Sequence, residues 1–349
     1  MIVYFADRQL NIIGSASTGL PDGSRIVGDL LTRDVEGGTA SFECTVVPYS
    51  KSLQEVEEII FPCNHVLLMD GDKAELFSII DAEYDTAAGT VWLSAESGGL
   101  DLLNDVLEAF ENSASHTIDW YANQFLSGTG FEIRLNEVST ASRTCSWTGE
   151  ATITDRLLSL ANEFDAELSY AFEVDGVKVT HRYVNFHKRI GKNVDVPLRV
   201  GREIESILIT RSAADLATAL LPTGSSVTLS GYSYDDGDYY VDGKYLKSRT
   251  ALDEWARVNF RHIVKTYQSQ ATTQATLFAA ALTQLKKARH LTVKYEVKLA
   301  ELPANIGIGD TVHLADEKNG IYLSARIMQL KTSESDERRE ATLGDITEE

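Results

Sequence analysis

Seven histidines, three cysteines and 52 acidic residues are the side chains with which this 349-residue chain could do chemistry. None of His65, His116, His181, His187, His262, His290 and His313 falls in an H-E-x-x-H frame, which sets two zinc ligands and a base on one helix face. His181 and His187 lie six apart, on one face of an extended strand. A zinc site needs three or four ligands and the spacing places no third, so two exposed histidines beside Lys188 and Arg189 are the plainer reading. Cys44 and Cys63 stand in apolar strand contexts typical of small buried residues. Cys145 precedes Ser146-Trp147-Thr148-Gly149 with no histidine nearby in sequence, so a thiolate nucleophile there needs a partner supplied by the fold. No G-x-S-x-G elbow is present, and Gly191-Lys192 lacks the upstream glycine of a phosphate loop. Carboxylate pairs of the kind that cleave glycosides arise by chance among 52 acids, so they carry no information. The run Tyr232-Ser233-Tyr234-Asp235-Asp236-Gly237-Asp238-Tyr239-Tyr240 has calcium-like composition. Counted from Asp235, however, the position of the bidentate glutamate in a helix–loop–helix calcium site is Leu246. A loose calcium site, a tyrosine surface for a partner and a solvated hairpin tip all remain open there. The sequence thus assigns no catalytic, cofactor-binding or metal-binding residue.

Composition narrows the field further. The formal net charge is −20 and no basic stripe offsets it, which argues against specific binding of a phosphate backbone. The three cysteines are odd in number and widely spaced, suggesting neither a disulfide framework nor a zinc site. Asp7 and Arg8 interrupt the N-terminal apolar run, so it does not read as a signal peptide, and no apolar stretch reaches the ~18 residues of a membrane span. These features describe a soluble, acidic, multi-domain protein made in a reducing compartment.

The elements that would position any site change character along the chain. Over residues 1–98 strands dominate. Ala40, Phe42, Cys44 and Val46 alternate with Ser41, Glu43 and Thr45, and Pro48 ends that ladder. Ser52 and Glu55 are spaced as a capping box for a short helix carrying Leu53, Val56, Ile59 and Ile60. Strands over 65–69 and 75–80 flank an Asp70-Gly71-Asp72 turn, and another covers 91–95. Residues 99–200 read as α+β. Helices are expected from the stripes Leu100/Leu103/Val106/Leu107/Phe110 and Ile118/Tyr121/Ala122/Phe125, with a third after Thr154. Strands 168–173 and 177–183 then meet at Asp175-Gly176. Residues 201–349 return to strands, with an excursion of helices and a Tyr/Asp-rich segment over about 225–290. Thr250 is expected to cap a short helix, and a longer one runs from about Ala271 to His290, ending in cations that suit its dipole. Strict alternation over 291–299 marks the clearest strand, followed by 311–314, 322–330 and 341–343 around a polar tip at 333–340.

Several stretches, in this order and spacing, resemble the prophage tail endopeptidases, or tail-associated lysins, whose N-terminal region is a tail hub. They are Thr148-Gly149-Glu150 through Leu168, His187-Lys188-Arg189-Ile190-Gly191, Gly201-Arg202-Glu203-Ile204 through Thr223-Gly224, and Asn305-Ile306-Gly307-Ile308-Gly309-Asp310-Thr311-Val312 with Leu323–Ile327 and Leu343-Gly344-Asp345. The resemblance implies a baseplate-hub-like fold. Two β-barrel-like tube domains, residues 1–98 and 201–349, would bracket the α+β middle at 99–200. It further implies a structural hub at the tip of a phage or prophage tail. In that role a homotrimeric ring meets the distal tail protein and other baseplate proteins and lets DNA pass on host contact without binding it specifically. Synthesis would be in the bacterial cytoplasm and the final location the virion tail tip, against the host cell wall. Longer relatives carry a C-terminal peptidoglycan hydrolase, and because Glu349 follows the last expected strand, that module is expected to be absent. The alternative is a tail-associated endopeptidase working from a cleft in the middle region. In the Ile308-Gly309-Asp310 turn, glycine permits the reversal and Asp310 can accept backbone N–H groups, which is a structural role.

Overall fold

The computed structural model describes residues 1–19, 23–49, 52–70 and 73–348. Seven strands open the chain: β1 (Ile2–Ala6), β2 (Ile12–Ser17), β3 (Arg25–Asp34), β4 (Ala40–Val47), β5 (His65–Asp70), β6 (Lys73–Asp85) and β7 (Thr90–Ser97). Their pairing runs β3–β4–β7–β6–β5–β1–β2 and returns to β3, so the sheet closes on itself. The closure is uneven, because β2 meets β3 through one parallel pair, Ser17 with Arg25. Alternation decides what fills the ring. Phe42, Cys44 and Val46 of β4 point inward with Phe77, Ile79 and Leu93. The helix α1 (Leu53–Ile59) adds Val56 to that core, with Ile60 just beyond it. Both bonds of the Ser52/Glu55 capping box are present. The β5–β6 turn residues Gly71 and Asp72 lie outside the described residues.

Beyond β7 the expected helix over 100–110 does not form. A 3₁₀ turn spans Gly98–Asn104, and the chain then extends as β8 (Val106–Leu107). The physical reason is local crowding and pairing. Tyr170 packs flat against Gly99, where a Cβ would lie 2.3 Å from the ring. Phe110 pairs with Trp147. The middle region then builds α2 (Ile118–Phe125), β9 (Phe131–Asn136), β10 (Ala151–Thr152), α3 (Ile153–Glu163), β11 (Glu167–Asp175) and β12 (Lys178–His187). Here β10 pairs with β8, and Tyr121, Phe125, Leu157, Leu160 and Phe186 form the core between helices and strands. One pair, Phe172 with Ala74, continues the barrel's sheet into β11. Next come β13 (Asn193–Arg199) and β14 (Ile204–Ser212).

Residues 207–297 form a separate compact unit. Within it β15 (Ala219–Thr223), β16 (Tyr239–Asp242), β17 (Tyr245–Ser248) and β18 (Val264–Gln268) make a sheet ordered β16–β17–β15–β18. The helices are α4 (Arg249–Trp255) and α5 (Gln274–Ala288), and β19 (Thr292–Leu299) pairs back with β14. Leu277, Phe278, Ala281 and Leu285 of α5 bury against Leu220 and Leu246. Ser248, not Thr250, caps α4, because Thr250 is engaged with Asp238.

The remaining strands are β20 (Thr311–Asp316), β21 (Ile321–Ser333) and β22 (Arg338–Glu348). They form the order β13–β20–β21–β22, with β13 parallel to β20 and the rest antiparallel. The far end of β21 also pairs with β3, Gln329–Thr332 against Leu31–Asp34, so this sheet grows out of the barrel wall.

Candidate functional site

The residues singled out for chemistry are kept apart. His181 is exposed and stacks on Tyr183, while His187 bonds Ser169 Oγ through Nε2 at 2.8 Å. Six residues of strand separate them by about 20 Å, so they share no ion. Cys145 is 4% exposed, and burial followed by the charge of Glu163 pushes its thiol above the ordinary value. Cys44 is sealed in the barrel core, where burial likewise raises its pKa. Neither supplies a thiolate at neutral pH.

The Tyr/Asp-rich excursion has its carboxylates occupied by the chain itself. Asp235 takes Arg249 through both oxygens, at 2.9 and 2.7 Å, and the Gly237 N–H at 3.0 Å. Asp236 accepts the N–H groups of Tyr239 and Asp238 and the Tyr234 hydroxyl. Asp238 accepts Ser248 Oγ, the Thr250 N–H and Oγ1, and Arg289 of the α5 terminus. Those lone pairs face donors, which is the opposite of a cation site.

A cleft of about 630 Å³ on the outer face of the barrel brings together Leu10, Cys63, His65, Ser78, Asp101 and Arg182. His65 and Ser78 are direct cross-strand partners, with Oγ 3.3 Å from Nδ1. Burial lowers the His65 pKa, with Asp101 opposing it, so the imidazole is neutral near pH 7. Asp101 is engaged by Arg182 at 3.1 Å. Among the described residues no carboxylate hydrogen-bonds His65, so the orienting partner of a nucleophilic triad is missing.

What the structure does bring together are the motifs around Gly191 and Gly309. These two glycines sit back to back with φ of +93° and +77°, and a Cβ on Gly191 would fall 2.1 Å from the Gly309 carbonyl carbon. Asp310 accepts the Gly307 N–H at 2.8 Å, closing its own turn, and the Lys192 N–H at 2.8 Å, tying that turn to the other strand. Arg326 of β21 runs beneath the crossing. It donates to Gly309 O at 3.1 Å and Ile190 O at 2.8 Å, and grips both oxygens of Glu167 at 2.6 Å. Burial pulls the Glu167 pKa up, but the bonds from Arg326 and from the Ile190 N–H outweigh it and hold the carboxyl below its ordinary value. A second tie links the ends of the chain. Asp29, at the β3 bulge, accepts the N–H groups of Glu334 and Ser335 at 2.8 Å each, fixing the β21–β22 tip. In the sequence Glu167 and Arg326 stand inside the resembling stretches without a role, and Asp29 is not singled out at all, because each partner lies more than a hundred residues away.

The result is a cross-linked frame with open borders. Among the described residues β13 pairs only with β20 and β22 only with β21, so each leaves one edge unpaired. β22 is 11 residues long, and Val196 of β13 is 67% exposed. Backbone N–H and C=O groups along such edges are templates for another chain.

This fold, a closed barrel wall extended by an open sheet, with α+β elements and an inserted unit, is similar to those of solved phage tail proteins. The prophage tail protein gp18 from Listeria monocytogenes EGD-e is similar, with a TM-score of 0.54 at 14% identity over 99% of this chain and 94% of that one. The prophage MuSo2 43 kDa tail protein from Shewanella oneidensis gives 0.51 at 14% identity over 98% and 97%. A chain of the Francisella PdpA-VgrG complex gives 0.50 at 8% identity over 95% of this chain and 53% of that one. No curated protein matches the sequence. Residues 192–349 match the family described as prophage endopeptidase tail.

Proposed function

We propose that three copies of the chain close a ring at the tail tip, and that its work is this assembly rather than catalysis. The observation that carries the reading is the contrast between a closed N-terminal barrel and a C-terminal sheet with two unpaired edges, held by the Glu167–Arg326 staple. Long unpaired edges are a liability that association removes, and copies joined head to tail through unlike edges close into a ring when the rotation between them divides a full turn. In this reading residues 1–98 and the strands of 201–349 outside the insertion are the two wall pieces, and 99–200 is the domain between them. Distal tail and other baseplate proteins stack on the ring, the bore passes DNA, and one face meets the host cell wall. Outside the insertion the chain carries 21 Lys/Arg against 44 Asp/Glu, and a carboxylate-lined bore would repel phosphates during transit. A buried Cys145 and an exposed, stacked His181 give the endopeptidase alternative no reactive pair.

Cross-linking a mixture of isotopically light and heavy chains tests the proposal. Links between copies should map to β13 and β22. Links confined to single copies, or between copies at other surfaces, contradict it. Cell-wall zymography of the same preparation should show no clearing.

A further inference from the structure

The charge of this chain is unevenly distributed. Residues 207–297 carry 11 Lys/Arg against 8 Asp/Glu, a net of +3, while the remainder carries −23. Within the basic unit, the turn Arg257-Val258-Asn259-Phe260-Arg261 follows α4. Val258 is 84% exposed, more than any other large apolar side chain among the described residues, and Phe260 is 63% exposed. The turn is clasped at both ends: the Phe260 N–H donates to Arg257 O, and the Arg257 N–H to Arg261 O, each at 2.9 Å. Asn259 and Phe260 both have positive φ, 64° and 57°. Asparagine tolerates that region, whereas for a bulky residue it is strained. Strained backbone that presents an aromatic ring to water is a feature of binding sites rather than of folding.

The flanking charges identify what such a tip can bind. Arg257 and Arg261 are exposed and have no carboxylate partner among the described residues; Asp253 and Glu254 on α4 make no ion pair with either. Two apolar side chains on a convex tip cover far less than the ~800 Å² per partner of a stable protein interface. A bilayer needs no such area: apolar side chains enter the headgroup–acyl boundary while flanking arginines bind lipid phosphates. We propose that the Arg257–Arg261 turn inserts Val258 and Phe260 into the surface of an anionic membrane. This goes beyond the ring reading and does not depend on it, since a single copy carries the whole turn.

Flotation of the full chain with phosphatidylcholine vesicles, with and without phosphatidylglycerol, is the test. Wild type should float with phosphatidylglycerol vesicles and lose that association in high salt. Val258→Asp with Phe260→Asp should weaken partitioning at least about tenfold. Arg257→Gln with Arg261→Gln should abolish the preference for phosphatidylglycerol. Phe260→Gly, which relieves the positive φ, should raise the Tm while weakening flotation, separating loss of contact from loss of fold. The proposal is overturned if wild type stays with neither vesicle, if the double Asp variant floats as wild type does, or if the turn instead captures an acidic protein.

Discussion

Glu167 and Arg326 lie 159 residues apart in sequence, yet both oxygens of one meet two guanidinium nitrogens of the other at 2.6 Å. The Arg326 side chain is 5% exposed and that of Glu167 23%, so water competes little for the pair. One strand of the middle region is thereby fixed to one strand of the C-terminal sheet, beneath the Gly191–Gly309 crossing.

Arg326→Met leaves Glu167 half-buried without its cation and should destabilise the chain by about 3–5 kcal/mol in urea unfolding. Arg326→Lys should recover little, because an ammonium cannot reproduce two parallel bonds to Glu167 and reach the Gly309 and Ile190 carbonyls as well. Recovery to wild-type stability by lysine would show the planar fork to be dispensable.

The same pair sets an acid dependence. Because the folded Glu167 pKa lies below its unfolded value, its stabilisation is complete above about pH 4.3 and is lost as pH falls through the folded pKa. Glu167→Gln should remove that part of the acid limb. Stability profiles of variant and wild type that stay parallel below pH 5 would contradict the assignment.

Gly191→Ala adds a methyl where the Gly309 backbone already sits, at a φ that L-residues rarely adopt. A loss of about 2–4 kcal/mol is expected, measured as a fall in Tm. Gly176→Ala is the control, since its positive φ faces open space and only the conformational strain applies, about 1 kcal/mol.

Thiol titration reads the burial of the cysteines. Cys63 is exposed whereas Cys44 and Cys145 are buried, so one equivalent should react in the native chain and three after denaturation. A second fast equivalent, assigned to Cys145 by mass spectrometry, would reopen the nucleophile reading.

Calcium should leave the Tm unchanged, because Asp235, Asp236 and Asp238 already accept bonds from Arg249, Arg289 and their neighbours. Asp238→Ala, which leaves Arg289 only the Tyr239 hydroxyl and frees the α4 terminus, should cost about 1–3 kcal/mol.

Local chemistry made much of the fold legible. Alternation in β4 and β19, the Ser52/Glu55 box and the Asp175-Gly176 turn each act over a few residues, and each element appears where its pattern lies. The 100–110 segment misled because its apolar spacing fits a helix, while the Tyr170 ring against Gly99 and the Phe110–Trp147 pair, both set by distant strands, impose an extended path. The β3–β21 pairing and the Glu167–Arg326 contact were illegible for the same reason: no local signal records a partner three hundred or even a hundred residues away. Gly309 was visible as a turn former, but its second purpose, admitting Gly191, shows only once both strands are in place.

Sedimentation velocity of the purified chain, paired with negative-stain images of the same sample, tests the ring most directly. A species of three chains with threefold symmetry and a central hole is expected at micromolar concentration. A stable monomer across that range, or a twofold dimer without a bore, would contradict it.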